Sequence, residues 1–374
     1  MKRFSRFSPF VAAVFGLIFT AGVVAQTATP TPRPRSSEDE EIKIESRLVV
    51  IPVSVTDEAG NPVMGLGKND FTVVEEGRRQ QVENVGSADV VPLEIVILFD
   101  VSASTDTMFK FQQETAAKFL QDVMKPTDHA TIYTIGANPV LVSARQTSAQ
   151  ATTSVRSITP TKQYTAFYDS VSEAASYLAK NAPAGTRRVI LVISDGEDTN
   201  SSRIAQAIQD GYKNAGAKIN ELDNKALYQM TVNSRNEASV RERVRIGKAL
   251  QDADTVFYSI NPAGSSYQLN KMSLFGQQNM EKFATETGGT AYLPKFLPID
   301  TKDEFMNSGN MKRNTATLEG IFRQLANELR AQYLVQYYSD NSEFPTGRFV
   351  KLDVKLTNPT GKKLRAREGY YVKN

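Results

Sequence analysis

Hydrophobic and polar positions along the chain fall into distinct rhythms. From Ile42 to about Val91 the period is two: VVIPVSV (49–55) alternates around Pro52, and DFTVVEEG followed by RRQQVENV predicts a hairpin turning at Gly77. Proline has no amide hydrogen, so the 49–55 strand is expected at a sheet edge or a bulge. Between Leu93 and Ile260 the rhythm changes to short apolar runs, EIVILFD (94–100), ATIYTIG (130–136), VILVISD (189–195) and TVFYSIN (255–261). Such nearly continuous hydrophobicity suits strands buried on both faces of a parallel sheet. FKFQQETAAKFLQDVM and AFYDSVSEAASYLAK, lying between them, repeat apolar residues at helical spacing, as crossover helices do. After a last helix at LEGIFRQLANELRAQ (318–332), strand patterns return in YLVQYYS (333–339), RFVKLDVKLT (348–357) and KLRAREGYYV (363–372).

The fold class this predicts is α/β: a doubly wound, mostly parallel sheet over residues 92–332. A small β-sandwich-like module is expected from the strands of both ends, 42–91 and 333–374, since neither half-buried set could stand alone. Two segments interrupt the plan. The stretch from Ser201 to Asp252 is far longer than a crossover needs; Arg241–Asp252 predicts the crossover helix, and about 201–240 a helical insertion. KFLPIDTKDEFMNSGNMKRN (295–314) reads as a polar, irregular loop.

The first 25 residues differ from everything after them. Lys2, Arg3 and Arg6 precede an apolar stretch from Phe10 to Ala25, with small residues where signal peptidase would cleave after Ala25. A membrane-spanning helix needs about 20 residues, so a cleaved signal peptide is expected, and with it export to the periplasm, the cell surface or the medium. The segment 26–41, rich in Pro, Ser, Thr and acids, reads as a linker. The three basic residues of the leader account for the whole formal charge of +3, from 44 basic and 41 acidic side chains. No clustered basic face argues for nucleic acid.

Composition narrows the chemistry. With no cysteine in 374 residues, thiol nucleophiles, disulfides and thiolate metal sites are all excluded. A single histidine, His129, excludes two-histidine zinc motifs and argues against a catalytic triad; it precedes a strand and belongs to the end of the sheet away from the strand-end acids.

Those acids carry the strongest local signal. Asp100, Ser102 and Ser104 follow EIVILF at alternate positions, so an extended backbone presents a carboxylate and two hydroxyls on one side, at the strand end where open α/β sheets bind ligands. Oxygen ligands of this kind favour a hard cation such as Mg²⁺; serines after an aspartate are also ordinary turn chemistry. A second buried run ends in Asp195-Gly196, and two strand-end carboxylates repel unless a cation lies between them. Thr165, in Tyr164-Thr165-Ala166, adds a loop hydroxyl, or else an N-cap for the helix that follows. Glu197 and Asp198 read as solvent-facing loop charges.

A strand followed by D-x-S-x-S, a T-A-x-Y-D loop (165–169) and a strand ending in S-D-G, in that order, resemble the von Willebrand factor type A domain. The flanking stretches 56–85, LVISDGEDTNSS (191–202) and REGYYV (367–372) resemble bacterial secreted proteins described as VWFA-related Acidobacterial-type. The resemblance implies a metal-ion-dependent adhesion site. In it Ser102, Ser104 and Thr165 ligate Mg²⁺ (or Mn²⁺ or Ca²⁺) through hydroxyls, and Asp100 and Asp195 act directly or through water. An acidic group of a protein partner fills the open position. The expected function is that of an exported, non-enzymatic binding or adhesion protein. Two alternatives stand beside it: a metal-dependent hydrolase or phosphotransfer enzyme, and a structural envelope component with a degenerate site. The first lacks a phosphate-cradling loop, a histidine base and a cationic clamp in the sequence.

Overall fold

The computed structural model describes residues 47–102, 106–161, 164–262, 271–299, 301–339 and 344–373, with side chains for all of these except 106–108, 217, 218 and 271. The expected leader and linker lie outside the described residues. Four strands come first: β1 (Arg47–Asp57), β2 (Phe71–Glu75), β3 (Arg78–Gln80) and β4 (Asn84–Ser87). The alternating part runs β5 (Leu93–Asp100), α1 (Asp106–Val123), β6 (His129–Ile135), β7 (Pro139–Gln146), α2 (Ser148–Ser157), α3 (Phe167–Asn181), β8 (Arg187–Ile193), α4 (Ser202–Ala215) and α5 (Asn224–Asp252). It continues through β9 (Thr255–Ile260), α6 (Lys271–Thr287), β10 (Ala291–Tyr292) and α7 (Glu304–Arg330). The last strands are β11 (Tyr333–Ser339), β12 (Phe349–Leu356), β13 (Lys362–Ala366) and β14 (Gly369–Tyr371).

The apolar runs form one sheet in the order β10-β9-β8-β5-β6-β7, parallel except for β7. Every residue of β5 is buried, because helices cover both faces. Leu93, Ile95, Ile97 and Phe99 pack with α1, α2 and α7, while Val96 and Leu98 pack with α3, α5 and α6. This is the doubly wound α/β arrangement read from the sequence. The outer strand β7 reverses direction and leaves Val140, Leu141 and Val142 exposed, so its pattern is weak.

Strands from both ends build two antiparallel sheets, β13-β1-β11-β4 and β14-β12-β2-β3. They share a core in which Ile51 and Val53 of β1 meet Val73 of β2, Val335 of β11 and Val350 of β12. The β2–β3 turn falls at Glu76-Gly77, both at positive φ (47° and 81°), a pairing that matches the twist of the flanking strands. The expected edge position of Pro52 is corrected: β1 lies inside its sheet. β11 flanks it over Arg47–Val53, whereas β13 begins only at Val53, so the proline occupies a stretch with one side open.

Two helices exceed their sequence reading. The crossover helix and the second part of the expected insertion are one continuous helix, α5, begun by Asp223, whose carboxylate accepts from the Ala226 amide. Its buried residues start at Ala238; the first half pairs with α4 as a hairpin, joined where the Tyr212 and Thr231 hydroxyls meet at 2.6 Å. The stretch 295–314 is not loop throughout, since α7 starts at Glu304 after the cap Asp303. Its polar look has a cause: Asn310 and Asn314 donate to the carbonyls of Pro298 and Leu297, fastening the preceding segment to the helix. Among the described residues no helix is long and apolar enough to cross a membrane.

Candidate metal centre

β5 ends at Asp100, and β8, beside it in parallel register, ends at Ile193 opposite Phe99. The register places Ser194 and Asp195 next to Asp100. The Ser194 hydroxyl donates to Asp100 Oδ2 at 2.6 Å and accepts from the Gly196 amide at 3.0 Å. The other oxygen of Asp100 accepts from the Ser102 hydroxyl at 2.6 Å and the Ser102 amide at 2.9 Å. Asp195 Oδ1 accepts from the Glu197 amide at 3.0 Å. Ser104 lies outside the described residues.

The loops that carry these groups are bound to one another by backbone. The Thr161 amide donates to Val101 O at 2.8 Å, and the Ala166 amide to Gly136 O at 2.7 Å. Thr165 is held from the third loop: its amide donates to the Thr199 hydroxyl at 2.9 Å, and its carbonyl accepts from the amides of Thr199 and Asn200. The N-cap position of α3 is Ala166, so Thr165 does not cap the helix. Thr165 as a residue is buried, and no hydrogen bond of its hydroxyl to a described residue competes with a ligand there.

Asp198 was expected in solvent and is instead buried. Its carboxylate accepts from the Tyr168 amide at 3.0 Å at the start of α3, and from the amide and hydroxyl of Ser201. The Ser201 hydroxyl in turn accepts from the Asp169 amide, and Asp169 accepts from the Ser202 amide at 2.8 Å. Carboxylates at two helix N-termini thus lock the second and third loops together. Gly196 completes the arrangement: at φ 76°, any Cβ would also sit 2.8 Å from Gly276 O, because α6 lies backbone to backbone on this turn. Sequence reading missed Ser194, Asp198 and Thr199. The S-D-G triplet was the signal for Ser194; nothing local distinguishes Asp198 from an exposed acid.

Electrostatics set the site apart. Burial pushes the Asp100 carboxyl above its usual range, against the hydroxyl bonds that favour its charge. Burial first, then the charges of Asp100 and Glu197, push Asp195 up to about 7. Neither aspartate makes an ion pair with a lysine or arginine among the described residues. Among the described residues no three Asp, Glu or His side chains converge as a ready-made metal cluster. The donor set is therefore two carboxylates and the hydroxyls of Ser102 and Thr165, all oxygen and all hard. That set fits a divalent cation such as Mg²⁺, which keeps several waters and takes few carboxylates.

The family model described as von Willebrand factor type A domain matches residues 95–197, from β5 through the S-D-G turn. No curated protein matches the chain. Among solved structures, proximal thread matrix protein 1 from the mussel byssus, described with a zinc occupied MIDAS motif, shares 11% identity over 68% of this chain and 50% of its own, at a TM-score of 0.39. A von Willebrand factor type A protein from Catenulispora acidiphila shares 12% identity over 76% and 51%, at 0.40. An aerotolerance-related membrane protein from Bacteroides fragilis shares 14% over 61% and 99%, at 0.31. The chain spans about half the length of the first two. At scores this low the likenesses carry nothing about the site.

Proposed function

We propose that this chain, whose residues 95–197 match the von Willebrand factor type A domain model, is an exported, non-enzymatic binding protein that engages an acidic group of a protein partner through a divalent cation. The reading rests on one observation above the rest: buried Asp100 and half-buried Asp195 stand at adjacent strand ends, the charge of Asp100 raising the cost of charge on Asp195, and neither makes an ion pair with a lysine or arginine among the described residues. Asp100, Ser102, Thr165 and Asp195 would hold the ion, with Ser104 added from the sequence pattern. When bound, the cation supplies a positive centre to which a partner's carboxylate is drawn. Ser194 and Ser102 orient Asp100 through its two oxygens, and Thr199 with Asn200 fixes the Thr165 backbone. Export is supported by the basic residues and apolar stretch of the first 25 residues. Two carboxylates among hydroxyl donors make Mg²⁺ the first ion to try, with Mn²⁺ and Ca²⁺ beside it.

Calorimetric titration with these three ions tests the reading. Saturable binding by the wild type, lost in Asp100→Ala, is the expected result; a wild type that takes up none of them sinks it. Capture of partners from the producing cell's exported fraction should then disappear with chelator. Turnover of phosphate esters dependent on the ion would move the protein to the enzymes instead.

A further inference from the structure

At the base of the parallel sheet, the end away from Asp100 and Asp195, lies a partly open cavity of about 420 Å³. It lies where β8 and β9 begin, against the face of β1 and β11 turned away from the sandwich core. Alternation explains the wall: Val49, Ile51 and Val53 fill the core, so Val50 and Pro52 face outward, joined by Leu334 of β11. Val256 completes an apolar surface. The size suits a small ligand, and junctions between layers are where such sites occur.

The remaining wall is polar, with three arginines against one acid, Asp254. Arg187 and Arg188, the first two residues of β8, both line it at the strand's start. Arg367 lines it too, but its charge is matched: Nη1 donates to Asp254 Oδ1 at 2.6 Å, and Lys373 lies 3.4 Å from the other oxygen. Arg187 and Arg188 have no such partner. Arg187 donates to the carbonyls of Val91 and Leu329, and Arg188 to that of Ala253 at 3.0 Å; neither makes an ion pair among the described residues. Burial holds the Arg187 guanidinium below its usual range, with Asp128 the largest influence in the other direction. Carbonyl dipoles leave the charge of these half-buried cations uncompensated, and an anion would compensate it. Gln251 Oε1 and Arg367 Nε, also in wall residues, are buried without a hydrogen-bond partner among the described residues.

We propose that this cavity binds a small aliphatic monocarboxylate, its charge met by Arg187 and Arg188 and its hydrocarbon lying on Val50, Pro52, Leu334 and Val256. A phosphate ester would place its second charge and its hydration against an apolar wall; an alcohol would leave the two guanidinium groups as they are. The site is separate from the cation site and does not depend on it.

Titration of the full chain with octanoate and with octanol, in chelator and again in Mg²⁺, tests this. Octanoate is expected to bind in both conditions, at least about tenfold more tightly than octanol, since a charge-assisted contact is at stake. Arg188→Leu should remove that preference, and Leu334→Trp, which fills the cavity from its half-exposed side, should abolish binding of both probes. Thermal melting shows whether each variant is folded, and Val50→Trp replaces Leu334→Trp if it is not. Equal affinity for octanol, no octanoate binding at about 10 mM, or binding untouched in the folded variants would overturn the proposal.

Discussion

Glu75 in the antiparallel module and Asp100 in the parallel sheet are both buried carboxylates that accept from hydroxyls, and their surroundings differ in one respect that decides what each can do. Glu75, the last residue of β2, receives Tyr337 at 2.9 Å, Ser339 at 2.7 and 2.8 Å and Tyr370 at 2.5 Å, donors from β11 and β14 that join the two sheets across their core. No second acid is set against it in that knot. Asp100 receives Ser102 and Ser194, but Asp195 and Glu197 add like charge beside it. The first is a closed structural tie whose donors all come from the chain. The second is complete only when positive charge comes from outside. The same inventory of oxygens thus gives a fastener in one layer and, on the proposed reading, a cation site in the other.

The largest effect should come from breaking the tie. Glu75→Leu leaves two tyrosine hydroxyls and a serine in an apolar core without their acceptor, each a desolvation cost of 1–3 kcal/mol, so a loss of about 3 kcal/mol or more is expected. Chemical denaturation of the metal-free protein measures it, and a chelator should make no difference to the loss. Asp100→Ala should behave in the opposite way. Removing Asp100 leaves the Ser102 and Ser194 hydroxyls without their acceptor but relieves the repulsion on Asp195, so the metal-free protein should lose less than in Glu75→Leu, while cation affinity should fall by at least about 100-fold, near 2.7 kcal/mol. Calorimetry and denaturation on the two variants form a crossed pair; a Glu75 variant that loses cation binding while folded, or an Asp100 variant as unstable as Glu75→Leu, would erase the contrast.

How far that contrast could be read from the sequence depends on locality. β5, β6, β8 and β9 were legible because burial on both faces writes itself as unbroken apolar runs, and Asp100 and Asp195 stood out as charges that end them. Helix α5 was not, since Asn224–Glu237 meets α4 on one side and water on the other and carries no apolar stripe long enough to define a period. α7 began earlier than read because its first turns use Asn310 and Asn314, whose partners are loop carbonyls. Asp198 looked like an exposed acid because what buries it, the start of α3, lies 30 residues back along the chain. Glu75 was equally silent: its donors lie on β11 and β14, more than 260 residues away, and no spacing rule connects them.

Protons offer a finer test of the same difference. Asp195 has its folded value raised to about 7 from 3.8. A carboxyl raised in this way contributes stability that is fully present below 3.8 and is lost as pH rises through about 7. The metal-free protein should therefore become less stable across that window, by up to about 1.4 kcal/mol for each pH unit. A cation reverses the trend, because it binds the ionised form; its affinity should fall by up to about tenfold for each unit below 7. Asp195→Asn should flatten both slopes. Titrations at pH 5.5 and 8 decide the matter, and a cation affinity independent of pH in the wild type would mean that Asp195 is not among the groups the ion meets.

The smallest expected effect lies one contact further out. Thr199 touches the site through Thr165, whose amide donates to its hydroxyl at 2.9 Å and whose carbonyl accepts from its amide at 2.9 Å. Thr199→Val keeps the volume and the backbone bond from residue 199 to Thr165 O, and removes that acceptor alone. If Thr165 presents its hydroxyl to the cation, loosening its backbone should weaken binding by about tenfold or less, in the lower range for groups that orient a ligand. Stability should change by about 1 kcal/mol, the ordinary worth of one hydrogen bond. A drop in cation affinity larger than that seen for Asp100→Ala would place the ion's anchor on the Thr165 loop rather than on the strand-end carboxylates. No drop at all, in a variant that melts like the wild type, would leave Thr165 a structural residue of the loop and reduce the site to the two aspartates and the serines that follow the first.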